Sequence, residues 1–126
     1  MNSAFRWVAG RQNKPEGEPG YFKMKLAERV WPSWVSKRPA NDRGGFDCYL
    51  LKYDPHFTLP PHTDKVPAHL RHYRLNIVLA GHGLFLAERT ICNLFGQAVL
   101  FRPDLYVHSM QNGPKTRLVL SLGVAL

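Results

Sequence analysis

A chain of 126 residues that is 44% hydrophobic supplies one globular core and leaves no room for a second domain of ordinary size. Seventeen Lys and Arg against nine Asp and Glu give a formal net charge of +8, and ten of the seventeen basic residues fall within the first 52 positions. That balance fits anionic partners such as nucleic acid or an acidic peptide, or simply a solvated basic face, and it does not choose a fold. No stretch approaches the roughly 18 apolar residues of a membrane span, and no apolar run follows a basic start. No membrane partner is expected, and a reducing, cytoplasmic setting is the default. Cys48 and Cys92 lie far from any CxxC spacing and read as buried small hydrophobes.

Residues 1–20 carry a short apolar patch, AFRWVAG, and then RQNKPEGEPG, whose Gly, Pro and charge read as a turn or loose linker. In YFKMKLAERVW, Phe22, Leu26 and Val30 recur at i, i+4 and i+8 among good helix formers, which predicts a helix over 21–31 ended by Pro32. The breaker-rich SKRPANDRGG (36–45) is a loop leading into the main domain. The chain thus divides into an N-terminal segment, 1–45, with one helix packed on the core, and the core itself, 46–126. Trp7, Trp31 and Trp34 are expected to be buried anchors between the two.

From residue 46 the character changes to short β-branched, aromatic and aliphatic runs broken by Gly, Pro, Asn and Asp. Eight strands are expected: 46–53, 57–63, 72–79, 83–88, 90–95, 97–102, 105–110 and 116–125. Eight strands in about 80 residues predict a mainly β fold, a jelly roll of two facing antiparallel sheets, also called a double-stranded β-helix, carrying the short N-terminal helix.

The stretch PPHTD (60–64) concentrates the chemistry. It sets His62 and Asp64 two apart, and on a strand such residues point the same way, so an imidazole nitrogen and a carboxylate oxygen can converge on one ion. His108, in the strand-like FRPDLYVHSM, would complete a set of two histidines and one carboxylate. Such a set leaves open metal positions and suits non-haem Fe(II). His56, His69, His72 and His82 fall in or beside loops and read as solvent-facing or as lining an entrance. Arg74 reads equally as a substrate contact or a solvated strand residue.

The order His62, Asp64, His108 and then Arg117 resembles the Fe(II)- and 2-oxoglutarate-dependent oxygenases, whose core is a double-stranded β-helix. The likeness covers roughly residues 46–126. KYDPHFTLPPHTD resembles the prolyl-hydroxylase-type lead-in, YRLNIVL the strand after the metal motif, and FRPDLYVHSMQNGPKTRLVLSLGVAL the closing pair of strands. RLNIVL also resembles the aspartyl/asparaginyl β-hydroxylase branch, which commonly lacks the carboxylate that Asp64 supplies here.

The resemblance implies iron held by His62, Asp64 and His108, with 2-oxoglutarate as co-substrate and dioxygen as oxidant. It implies that Arg117 binds the far carboxylate of 2-oxoglutarate through its guanidinium fork, with Tyr53 beside it. Ser121, on the same strand face as Arg117, is a further donor for that carboxylate, and Asn76 a weaker candidate for the same pocket. The reaction implied is hydroxylation of a substrate C–H bond coupled to conversion of 2-oxoglutarate to succinate. The primary substrate is not specified, although the basic balance favours an anionic one. Two other classes stay open: a cupin-like metalloprotein acting without 2-oxoglutarate, and a non-catalytic jelly-roll binding module.

Overall fold

The computed structural model describes residues 6–10, 19–39, 42–67 and 69–126. Ten strands follow one another: β1 (Val8–Ala9), β2 (Tyr21–Val30), β3 (Gly45–Tyr53), β4 (Thr58–His62), β5 (His72–Ala80), β6 (Gly83–Ala87), β7 (Cys92–Leu94), β8 (Ala98–Phe101), β9 (His108–Asn112) and β10 (Arg117–Ala125). They form a seven-stranded sheet in the order β1-β2-β3-β10-β5-β8-β7 and a three-stranded sheet in the order β4-β9-β6. All pairings are antiparallel. The eight expected strands are all present, and the two facing sheets make the expected jelly roll.

The expected helix is instead β2. Its apolar spacing fits a helix, but β3 offers it a full edge of backbone donors and acceptors, and nine residue pairs form along it from Tyr21↔Tyr53 to Val30↔Gly45. Pairing of that length outweighs a helix propensity worth a few tenths of a kcal/mol per residue. A bulge between Lys25 and Ala27 absorbs the extra residue Leu26. β2 and β3, on either side of the expected boundary at 45/46, are thus neighbours in one sheet.

β10 shows how alternation builds the interior. Arg117, Val119, Ser121 and Gly123 are buried and face inward, while Leu118, Leu120 and Leu122 face out. The inward faces contribute Tyr21, Leu51, Tyr53, Leu59, Met110 and Val119 to one buried cluster, with Tyr49, Phe57, Val78 and Phe85 packed against it. Two crossovers, 81–82 and 113–116, close one end of the sandwich. Gly81, at φ +88°, permits the first: a Cβ there would press on the Thr116 carbonyl. Asn112 ties the same end together, its Nδ2 lying 2.7 to 3.1 Å from the carbonyls of Tyr53, Asp54 and Lys115.

The tryptophans differ among themselves. Trp31 is half-buried, donates from Nε1 to the Ala125 carbonyl at 2.7 Å and packs on Phe46. Trp7 lies under the Lys52 ammonium at 4.7 Å. Trp34, expected as an anchor, is 85% exposed in the turn after β2. Neither cysteine is buried: Cys48 is half-buried and Cys92 lies exposed on the edge strand β7.

Phe101, 1% exposed, packs edge-on against Phe85 and the His108 ring. We expect Phe101→Ala to lower the unfolding free energy by about 3–5 kcal/mol, because the surrounding strands cannot collapse into the space left. Urea denaturation of the variant and the parent measures it.

Candidate metal centre

His62 reaches the interior through a break in strand alternation. Leu59 faces in and is buried, so a regular strand would send His62 outward. The β4–β9 pairing instead shifts register between Leu59 and His62, where Pro60 and Pro61 lack the N–H groups of a continuous ladder. The shift places His62 opposite His108 on β9. Asp64 lies beyond the end of β4, not on the strand as expected. Its backbone N–H donates to the carbonyl of Pro103 at 2.8 Å. The β8–β9 loop holding Pro103 is fastened by Arg102 to Asp104 at 2.6 Å, and Asp104 accepts from the backbone N–H of His72.

The three expected ligands do come together. One ligand atom from each of His62, Asp64 and His108 lies within 4.8 Å of the others. His62 Nε2 is 3.5 Å from Asp64 Oδ1, and His108 Nε2 is 3.9 Å from Asp64 Oδ2. Both rings present Nε2 for the same reason. His62 Nδ1 donates to the Pro60 carbonyl at 2.7 Å and His108 Nδ1 to the Tyr106 carbonyl at 3.1 Å. A carbonyl only accepts, so each Nδ1 carries a proton and each ring turns its Nε2 toward Asp64. Burial holds the His108 pKa below the ordinary imidazole value, although the Tyr106 carbonyl and Asp64 pull it up, and this favours the neutral ligand form.

Metal bonds of about 2.1 Å would set neighbouring ligand atoms about 3 Å apart, so atoms within 4.8 Å of one another would close by at most about 1.8 Å. The donor set of two imidazoles and a carboxylate therefore fits a divalent metal such as Fe(II). Among the described residues it is the one group of this kind.

A cavity of about 330 Å³ runs between the sheets from this cluster to Arg117. Tyr21, Lys23 and Asp47 also line it, and the sequence reading missed them: the first two because β2 was read as a helix, Asp47 because a lone acid in a strand carries no motif. Arg117 is 4% exposed, and its Nε and Nη1 have no hydrogen-bond partner. Burial lowers its pKa while the neighbouring Tyr53 raises it. Tyr53, its partner across β3, is buried and stacked on Tyr21 at 4.9 Å; burial pushes its phenol well above the ordinary value.

Ser121 and Asn76 belong to a different group. Ser121 shares the Arg117 face of β10 as expected, but its hydroxyl is taken: it accepts from Arg74 Nη1 at 2.7 Å and donates to Asn76 Oδ1 at 2.6 Å. Both residues line the same cavity as Arg117, but the Ser121 hydroxyl proton is already given to Asn76. Arg74 is not a solvated strand residue either, since its Nη2 grips both oxygens of Asp47 at 2.8 and 3.0 Å. It also lies 3.3 Å from His72 Nε2, so His72, expected near a loop surface, is a buried acceptor at the start of β5. His56 and His82 are exposed as expected, as is His69, whose Nε2 lies 2.9 Å from the Asp42 carbonyl.

No protein-family model matches the chain, and no curated protein does. Solved structures match it in fold. KdgF from Halomonas sp. is 17% identical with a TM-score of 0.55, the match covering 98% of this chain and 89% of that one. A structure from work on the DMSP lyases RdDddP and RnDddQII is 14% identical with a TM-score of 0.54, covering 95% of this chain and 56% of that one. The chain thus spans a little over half the length of the second. The fold is a jelly roll of the cupin type, and its His-His-Asp cluster could hold a metal. No helix of the described residues is long and apolar enough to cross a membrane.

Burial lowers the pKa of His72 as it does that of His108, and the adjacent Arg74 lowers it further. Both folded-state values lie below the unfolded one near 6.5, so the unfolded chain takes up protons first as pH falls. We expect stability of the metal-free protein to be full above about pH 7 and to decline below about 6.5. Urea titrations across this range measure the slope, and His72→Gln should make it shallower.

Proposed function

We propose that the chain is an Fe(II)- and 2-oxoglutarate-dependent dioxygenase acting as a hydroxylase. The observation that carries this reading is a buried guanidinium, Arg117, whose Nε and Nη1 have no hydrogen-bond partner, lining the same cavity as the three convergent ligands. An uncompensated buried cation is costly, and a carboxylate is the partner its fork fits. When bound, iron and 2-oxoglutarate supply the oxidising chemistry: the oxo-acid becomes succinate and carbon dioxide while one atom of dioxygen enters a substrate C–H bond as hydroxyl.

The chain's own residues hold and align. His62, Asp64 and His108 would hold the metal at one end of the cavity. Arg117 and Tyr53 would receive the distal carboxylate. Between them Leu51, Leu59, Val78, Met110 and Val119 form an apolar sleeve for the methylene groups and keep water from the reacting end. The net charge of +8 supports an anionic primary substrate, a nucleic acid or an acidic peptide.

A second reading, a cupin-like metalloprotein using the same ligands without 2-oxoglutarate, draws its support from the fold likeness to structures of the DMSP lyases. Purified protein given Fe(II), oxygen and 2-oxoglutarate should form succinate even without a primary substrate; tight metal binding without succinate would select the second reading.

Two variant series accompany that assay. His62→Ala, Asp64→Ala and His108→Ala should each abolish stoichiometric Mn(II) binding in calorimetry while the fold persists. Arg117→Ala should keep metal affinity within about threefold but weaken 2-oxoglutarate binding about 100-fold or more, a loss near 3 kcal/mol. Arg117→Lys should restore only part, because a point charge cannot copy the fork. Anaerobic titration of the Mn(II)-loaded proteins gives these affinities, and an unchanged value in Arg117→Ala would remove Arg117 as the anchor.

A further inference from the structure

The strands leave His62, Asp64 and His108 at one end of the sandwich and Arg117 at the other. The loops 31–44, 63–71, 88–91 and 102–107 surround the metal end, because β2, β4, β6 and β8 finish there and β3, β5, β7 and β9 begin there. These loops hold seven Lys and Arg against four Asp and Glu, whereas the described loops at the Arg117 end, 54–57, 81–82, 95–97 and 113–116, hold one of each sign. Two of the four acids are already engaged: Asp64 belongs to the ligand cluster and Asp104 pairs with Arg102. Lys37, Arg38, Arg43, Lys65, Arg71 and Arg89 form no ion pair with any described residue, and all but Arg43 are exposed. Arg43 is aligned by its Nε, which donates to the Arg38 carbonyl at 2.7 Å. His69 joins the first two loops, its ring Nε2 lying 2.9 Å from the Asp42 carbonyl. In the first loop the N–H groups of Val35 and Ser36 reach the Pro32 carbonyl at 3.0 and 3.3 Å, a turn that holds Trp34 outward with 85% of it exposed. An indole left this uncovered forgoes most of the burial that a large aromatic ring gains elsewhere.

We propose that this end of the sandwich binds single-stranded nucleic acid, the basic loops tracking its phosphates and Trp34 stacking on a base, and that it delivers one nucleotide to the cavity. The delivery rests on the dioxygenase reading of the cavity; the binding does not. Unpaired cations around an opening attract a polyanion and release its counterions, and an exposed aromatic ring among them adds a contact that every base can make. An acidic peptide would satisfy the cations but has no bases to stack on Trp34. A cavity of about 330 Å³ is at the small end of ligand pockets, so a polymer reaches it one unit at a time while its backbone stays outside on the rim. A single strand can offer a base in this way without the cost of opening a duplex.

Fluorescence anisotropy of a labelled single strand of about 12 nucleotides, with neither metal nor oxo-acid added, measures the binding. About four phosphate contacts predict a log–log salt slope near −3, so affinity should fall about 50-fold between about 50 and 200 mM salt. Arg38→Ala should make the slope shallower by about 0.7, whereas Lys115→Ala, the same loss of charge at the Arg117 end, should leave both slope and affinity unchanged. Trp34→Ala should weaken binding about tenfold with the slope unchanged, and Trp34→Phe should keep most of the affinity. These side chains are exposed, so the variants should fold as the parent does. No binding at about 50 mM salt, an equal loss in Lys115→Ala and Arg38→Ala, or full affinity in Trp34→Ala would overturn the proposal, as would a Glu-rich peptide of equal charge that binds as tightly as the strand. Binding by a protein that forms no succinate would remove the dioxygenase reading and still support this interface.

Discussion

Two imidazole Nε2 atoms and one carboxylate converge at the mouth of the cavity, and much of the structure serves to keep them so. His62 and His108 each spend the Nδ1 proton on the carbonyl two residues upstream. The two rings therefore turn Nε2 toward Asp64, at 3.5 and 3.9 Å, beyond the length of a good hydrogen bond. Such a cluster is suited to a cation. The supports are backbone bonds, which lock ring orientation more firmly than exposed side-chain partners would. Behind them stands a chain of fastenings from Asp64 to Pro103, through the Arg102–Asp104 pair, to the start of β5.

The two cavity arginines illustrate opposite solutions to burying a cation. Arg74 is neutralised in place by Asp47 and further satisfied by Ser121. Among the described residues no acid pairs with Arg117, and two of its nitrogens are left without partners. A fully satisfied pair holds strands in place, whereas an unsatisfied one costs about 1–3 kcal/mol or more for a charged group. The cost sits at one end of a cavity whose other end holds the donor cluster, with apolar walls between. Under the proposed function, the carboxylate of the co-substrate is the partner that Arg117 lacks.

What the sequence made legible follows from periodicity. The strands from 46 onward have period-two apolar runs and turn residues, so their existence and order could be read, and with them the convergence of His62, Asp64 and His108. Where periodicity was ambiguous, tertiary pairing decided: the β2 segment satisfies a helical template and becomes a strand because β3 has a free edge. The shift at Pro60–Pro61 was not visible as such, and the reading of His62 and Asp64 as neighbours on one strand reached the right cluster through a simpler geometry than the real one. Ser121 shows the limit of face arguments. Alternation correctly put it on the Arg117 face, but sequence could not reveal that Arg74, on another strand, would claim its hydroxyl.

One register has to be right for both faces of β10 to work. A slip of one residue would turn Leu118, Leu120 and Leu122 into the cavity and carry Arg117 and Ser121 out to the apolar face. Apolar burial alone discriminates weakly, because leucines crowd one side and valine the other. The polar contacts across the central strands discriminate strongly. Ser121 pairs with Asn76 on β5 and Tyr49 on β3 in register, and Arg74 spans the same three strands through Ser121 and Asp47. Gly123 leaves the space this requires, since a Cβ there would collide with the Arg74 guanidinium and the Asp47 carboxylate. The Arg74 contacts to Asp47 and Ser121 can form only in the register seen. That register points Arg117 inward and keeps Leu118, Leu120 and Leu122 on the opposite face.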